Sequence, residues 1–238
     1  MENNFYTPAE VVKSNIKSAV AKDNLPLAKM ILLGMMAGAF IAFGGAASSV
    51  ATHGVADVGL ARSIAGAIFP VGLMLVVFTG SELFTGNNLM IMAVIDKKIT
   101  LLKMIRNLVV VYFANFIGAL IIDVLVFFSG QFDFSGGGLG AYTIKVALAK
   151  TSIAPVTAVI SGILCNILVC LAIVLAGTAK DSIGRIFGIF FPIAAFVVCG
   201  FEHCVANMFY IPAGMLAATN TAYVQKAQEL YGITAQQC

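Results

Sequence analysis

Residues 68–90 read IFPVGLMLVVFTGSELFTGNNLM, and residues 190–210 read FFPIAAFVVCGFEHCVANMFY. Each opens on Phe-Pro, runs through apolar residues, and then breaks into Gly-x-Glu-x4-Asn: Gly80, Glu82 and Asn87 in the first, Gly200, Glu202 and Asn207 in the second. An acid, an amide and a glycine inside otherwise apolar runs predict helices that break at bilayer depth, where irregular backbone is tolerated only when buried in protein or lining a cavity. The same pattern in two segments expected to run in opposite directions predicts an inverted repeat. On this reading Glu82 and Glu202 are staples, accepting the amide groups that the breaks leave free. Intramembrane acids also mark ion and proton paths, so that second reading stays open.

The rest of the chain fits a membrane solvent. Of 238 residues, 60% are hydrophobic and 11% charged, and the mean hydropathy is +0.98. Apolar segments recur at 28–50, 63–95, 107–128, 152–177 and 186–216. Their continuity and length predict an all-α integral membrane protein and exclude the short alternating strands of a membrane barrel. Ahead of them, Thr7, Pro8 and Glu10 form a capping-box signature, with Val11, Val12, Ile16, Ala19 and Val20 along one side. That predicts an amphipathic helix lying on the membrane surface. Lys97, Lys98, Lys103 and Arg106 crowd the loop after the second segment, which places that loop and the amino terminus in the cytoplasm of a multi-pass cell-membrane protein. The net charge of +3 is therefore a topological signal, and no basic patch interleaved with aromatics points to nucleic acid.

With these residues in view, the chain resembles the formate/nitrite transporters. GSELFTGN (80–87) is similar to the interruption of that family's second helix, and GFEHCVANM (200–208) to that of its fifth. Lys150, Asn166 and His203 stand at the spacing of the family's pore lysine, asparagine and histidine. The resemblance implies an aquaporin-like fold of six membrane helices, a pore through each protomer, and a homopentamer. It implies a channel or transporter for small monovalent weak-acid anions, with formate the leading substrate and nitrite or hydrosulfide the alternatives, and with a proton as possible co-substrate. Phe69, Leu73 and Phe196 become the inner constriction, and Leu83 and Phe84 the outer or central one, with Thr85 offering its hydroxyl.

Physical chemistry assigns roles beside that inheritance. A bare anion loses far more solvation in a dry pore than a few hydrogen bonds return. Lys150 beside Thr151 and Ser152, read as caps of the fourth helix, would attract anions at the outer mouth, or would simply snorkel. His203 at membrane depth would donate a hydrogen bond or a proton to the substrate, or would be a buried histidine satisfied by Glu202, Thr85 or Asn166.

Other classes fare worse. No second ligand accompanies His203, so neither a metal nor another cofactor is expected, and no enzyme activity. The cysteines contain no CxxC pair, and SGGGLG (135–140) lacks a phosphate-loop ending and reads as a flexible connection. A channel for neutral solutes is the nearer competitor. Asp123 has no assignable role. The expected organisation is a surface helix over 1–24, a first repeat over 25–128 broken near 79–87, an extracytoplasmic connection over 129–150, and a second repeat over 151–238 broken near 199–204. A sixth membrane helix is expected of the fold and absent from this chain, whose last residues turn polar.

Overall fold

The computed structural model describes residues 5–237; the first four residues of the expected surface segment and Cys238 lie outside them. The chain folds into helices α1 (Pro8–Asp23), α2 (Leu27–Thr52), α3 (Val58–Ile68), α4 (Val71–Thr79), α5 (Phe84–Asn87), α6 (Ile91–Ile95), α7 (Leu101–Phe128), α8 (Phe134–Thr151), α9 (Pro155–Thr178), α10 (Ser182–Cys199), α11 (Cys204–Ala218) and α12 (Thr221–Tyr231). Five stretches among the described residues are long and apolar enough to cross a membrane: Leu27–Thr52, Val58–Thr79, Leu101–Phe128, Pro155–Thr178 and Ser182–Cys199. Two shorter apolar stretches, Phe84–Ile95 and Cys204–Ala218, continue the second and fifth.

Lipid tails are as apolar as leucine, so helices in a bilayer associate through close packing and polar contacts rather than through hydrophobic burial. The α2/α7 crossing follows that rule. A Cβ on Gly38 would collide with the Asn115 backbone, and one on Gly118 with the Met35 backbone. Asn115, fully buried on α7, donates to Gly34 O at 2.8 Å and to Glu82 O at 2.9 Å. The outward faces stay apolar, with Phe113, Leu125, Val159 and Ile163 exposed.

Two expectations need correction. Helix α1 begins with the predicted capping box, the Glu10 carboxylate accepting from Thr7 N at 2.7 Å. It is more than a surface float, however: it packs against α6, α7 and α9, burying Val11 and Ala19 and directing Lys22 inward. The connection over 129–150, read around SGGGLG as a flexible loop, is largely helical. Ser135, Gly136 and Gly137 take positive φ, and from Gly138 the chain winds as α8 to Thr151. Packing against α11 and α12 overrides the low helix propensity of the glycines. Asp123 is fully buried on α7, and neither of its carboxylate oxygens finds a hydrogen-bond partner among the described residues.

Candidate functional site

Both interruptions begin with a left-handed glycine, Gly80 at φ 69° and Gly200 at φ 73°. A residue with a Cβ resists that conformation, which is why each helix stops there. The freed amides find partners in the Schellman manner: Ser81 N–H donates to Val76 O at 3.0 Å and Phe201 N–H to Phe196 O at 3.1 Å. Beyond them, Glu82 N–H donates to Leu33 O, Phe84 N–H to the Asn115 side chain, and Glu202 N–H to Ser161 Oγ.

The carboxylates are thus released from the work expected of them. Glu82 and Glu202 do not accept the backbone amides of their own breaks; each holds the asparagine side chain of its break instead. Glu82 Oε1 accepts from Lys22 Nζ at 2.6 Å, and its Oε2 accepts from Asn87 Nδ2 at 2.7 Å. Glu202 Oε1 accepts from Lys150 Nζ at 2.6 Å, and its Oε2 from Asn207 Nδ2 at 2.8 Å. A buried carboxylate needs a cation and satisfied lone pairs, and each break obtains the cation from a helix outside its own segment, α1 or α8. The first triad is closed further: Lys22 also donates to Asn87 Oδ1 at 2.9 Å, and Asn87 donates to Asn107 Oδ1 at 2.8 Å. In the second, Asn207 Oδ1 is left unpartnered.

Lys150 therefore stands at the end of α8, paired, rather than free beside a helix amino terminus. The α9 amino terminus has no side-chain cap. Thr151 and Ser152 instead donate backward to Ala147 O and Leu148 O, and a cation in the last turn of α8 suits that helix's negative end.

Between the two triads stand Thr85 and His203. His203 is the N-cap of α11, its Nδ1 accepting from Ala206 N–H at 2.9 Å. With Nδ1 committed as an acceptor, the ring proton belongs on Nε2, which faces Thr85 Oγ1 at 3.2 Å. The imidazole is 4% exposed. It stacks on Phe196 at 5.7 Å and meets Phe69 edge-on at 6.4 Å. Asn166 does not join this contact; it donates to Cys170 Sγ at 3.6 Å, and its Oδ1 is unpartnered.

Three spaces surround the centre. A cavity of about 170 Å³ on one side is lined by Lys150, Phe69, Phe196, His203 and a wall of hydroxyls. On the other, a cavity of about 480 Å³ is lined by Lys22, Lys29, Glu82, Leu83 and Asn87. A lateral groove of about 1010 Å³ along α9 is lined by Asn166, Cys170, Thr85 and His203. The apolar rings therefore exchange sides relative to expectation: Phe69 and Phe196 share a cavity with Lys150, and Leu83 shares one with Lys22. Leu73 is buried in the core behind them. Phe84 faces the groove and packs on Tyr112 at 5.1 Å rather than closing a ring.

Sequence reasoning missed Lys22, Asn107 and Asn115. The two asparagines were visible as amides in the apolar run of α7, and Lys22 as a charge at the end of the amphipathic helix. It also missed Arg62, whose Nη1 donates to Val198 O at 3.0 Å at the second break. The four cysteines among the described residues are free thiols, and no group of three or more His, Cys, Asp or Glu there could hold a metal.

The family model described as Formate/nitrite transporter matches residues 9–234. The chain is 42% identical over 233 residues to a probable formate transporter of Methanothermobacter thermautotrophicus, covering 90% of this chain and 85% of that protein. It is 38% identical over 215 residues to the formate channel FocA of Haemophilus influenzae, covering 89% and 75%. Among solved structures, a pentameric formate channel with formate bound superposes with a TM-score of 0.75 at 30% identity, covering 89% of this chain and 83% of that one.

Proposed function

The chain belongs to the formate/nitrite transporter family, and from that premise we propose that it conducts small monovalent weak-acid anions across the cell membrane, formate foremost, with nitrite and hydrosulfide served by the same groups. As a member of this family it is a multi-pass membrane protein of a channel and transporter class. We place the amino terminus in the cytoplasm and five copies in the assembly, each with its own path.

The observation that carries the reading is the Thr85–His203 contact at the meeting of the two breaks, with an apolar ring beside it and a lysine-bearing cavity on either side. An anion leaving water for a dry pore faces a desolvation cost on the order of tens of kcal/mol, against about 1.5–3 kcal/mol for each hydrogen bond to a charged group. Its charge must be shared along the way. Lys150 spends one ammonium proton on Glu202 and keeps two for a guest in the cavity. The pair is close to neutral overall, so it invites an anion to the surface of the lysine without trapping it.

Past the Phe69–Phe196 ring the substrate meets His203 Nε2–H, which turns from Thr85 to the anion. Because Nδ1 caps α11, the neutral ring lends this proton as a hydrogen bond; giving it up outright would leave an imidazolate. A proton that neutralises the substrate then arrives with it from the vestibule, and Thr85 takes the hydrogen-bonding role on the other side. Leu83 and Lys22 complete the path in reverse order.

Uptake of labelled formate, nitrite and hydrosulfide into proteoliposomes, in competition and at one neutral and one acidic pH, tests the reading. Formate uptake that is inhibited by nitrite and rises at acidic pH is expected. Swelling with glycerol or water, without uptake of any of the three anions, would overturn it in favour of a neutral-solute channel.

A further inference from the structure

One wall of the 170 Å³ cavity is built of the hydroxyls of Ser48, Ser49, Thr52, Tyr142 and Tyr210, and four of their protons can be traced. Ser48 and Thr52, both 4% exposed on α2, use theirs on the backbone: Ser48 Oγ donates to Gly45 O at 3.0 Å and Thr52 Oγ1 to Ser48 O at 2.7 Å. Each also stands 3.2 Å from a tyrosine hydroxyl, Tyr210 on α11 and Tyr142 on α8 respectively. Either oxygen of each pair can donate; with the serine and threonine protons on the backbone, the tyrosines donate in both contacts. At 3.2 Å these are long for O–H···O bonds, whose usual range ends near 3.0 Å. The two phenol protons are therefore held weakly, on rings that core packing fixes in place.

We propose that Tyr142 and Tyr210 form a two-donor subsite for a small oxyanion on the Lys150 side of His203. An anion in the cavity offers a negatively charged acceptor, and exchanging a long neutral bond for a charge-assisted one is favourable at each hydroxyl. Neither ring need move, because rotation of the phenol O–H alone redirects the proton from Ser48 or Thr52 into the cavity. Lys150, Phe69, Phe196 and His203 line the same space, so an anion held there lies among a cation, hydroxyls, two aromatic rings and the histidine. Formate and nitrite each present two oxygens on one small plane, a match for two separate donors. The proposal rests on the anion-conducting reading above, but it is tested separately from it.

The test uses the full chain in proteoliposomes with formate and nitrite as probes. Tyr142→Phe and Tyr210→Phe retain the rings and remove one donor each; a rise of about 10-fold in KM for either change is expected, with the maximal rate little changed and a larger rise in the double variant. Ser48→Ala and Thr52→Val remove the resting acceptors instead. If the tyrosines serve the substrate, these leave KM unchanged or lower it, since the phenol proton loses a competitor. Unchanged KM in the tyrosine variants, with or without a lowered melting temperature, would show that the hydroxyls only brace the wall and would overturn the proposal. A rise in KM in the Ser48 and Thr52 variants equal to that of the tyrosine variants would overturn it as well. Absence of formate and nitrite uptake by the unaltered protein would instead refute the anion-conducting reading itself.

Discussion

The two interruptions are built from the same parts and differ in two places that matter. Each has a left-handed glycine, a glutamate two residues on, a lysine lent by another helix at 2.6 Å, and an asparagine that fixes the glutamate. After the glutamate stands Leu83 in one and His203 in the other. Leu83 provides no cap, and the helix after the first break is started from outside by Asn115. His203 caps its own helix and, in doing so, aims Nε2 at Thr85 of the opposite break. Repetition supplies a scaffold that satisfies broken backbone in a dry medium; the chemistry is added where the copies differ, His203 against Leu83 and Thr85 against Val205.

The comparison breaks most sharply at His203. His203→Leu, which makes the second break like the first, removes both the cap and the central donor. Formate uptake is expected to fall about 100-fold, the value of a strong hydrogen bond to an anion. His203→Asn restores a cap for α11 but not the reach to Thr85, so it should recover the melting temperature without recovering uptake. Equal recovery of both would make His203 a structural residue.

The triads come next. Lys22→Ala and Lys150→Ala each strand a buried carboxylate, for which a loss of about 3 kcal/mol is expected, read as a lowered melting temperature in detergent. The two should part company in transport. Lys22 is bound to both Glu82 and Asn87 and acts mainly as a clamp, whereas Lys150 holds only Glu202 and should raise the KM for formate when removed. Lys150→Glu, which sets two carboxylates together, should be worse than Lys150→Ala, and Lys150→Arg milder than either. Identical kinetics for the Glu and Arg variants would make Lys150 a plain anchor.

The glycines sharpen the comparison more gently. Gly80→Ala and Gly200→Ala share a left-handed penalty of about 1–2 kcal/mol. At Gly80 the added Cβ meets open space, while at Gly200 it would displace the Arg62 guanidinium. Gly200→Ala should therefore be the more destabilising; the reverse order would show that Arg62 is not held at the break.

The smallest effect lies away from both breaks, where the Tyr223 hydroxyl donates to Asp133 at 2.6 Å. Burial, then the bond to Asp133 and its charge, push the phenol up to about 12 from its usual 10. A raised phenol favours the neutral form in the folded chain. Its contribution is present below about pH 10 and is lost as pH rises from there through about 12. Tyr223→Phe should flatten that alkaline loss of stability and leave formate KM unchanged, and a changed KM would tie α12 to the pore.

Much of this was legible in the chain. The Gly-x-Glu-x4-Asn pattern located both breaks because a polar cluster in a hydrocarbon run has few explanations, and the resemblance of 80–87 and 200–208 singled out His203 and Thr85. What was not legible depends on partners distant in sequence. Lys22 lies 60 residues from Glu82, and nothing local distinguishes it from a surface lysine. The helix after SGGGLG forms because α11 and α12 lie against it, which local propensity does not report. The ordering of the apolar rings likewise depends on which cavity each residue faces, a property of the assembled helices rather than of spacing.

In the proposed mechanism the anion meets a histidine whose proton sits on Nε2 while Nδ1 caps a helix. Nitrogen NMR of the protein labelled in histidine, recorded in bilayers with and without formate, tests it directly, since His53 and His203 are the only two histidines and His203→Asn assigns the signals. A bare Nδ1, a protonated Nε2, and a shift of the Nε2 resonance alone when formate is added are expected. A proton on Nδ1, or His203 resonances indifferent to formate, would contradict it.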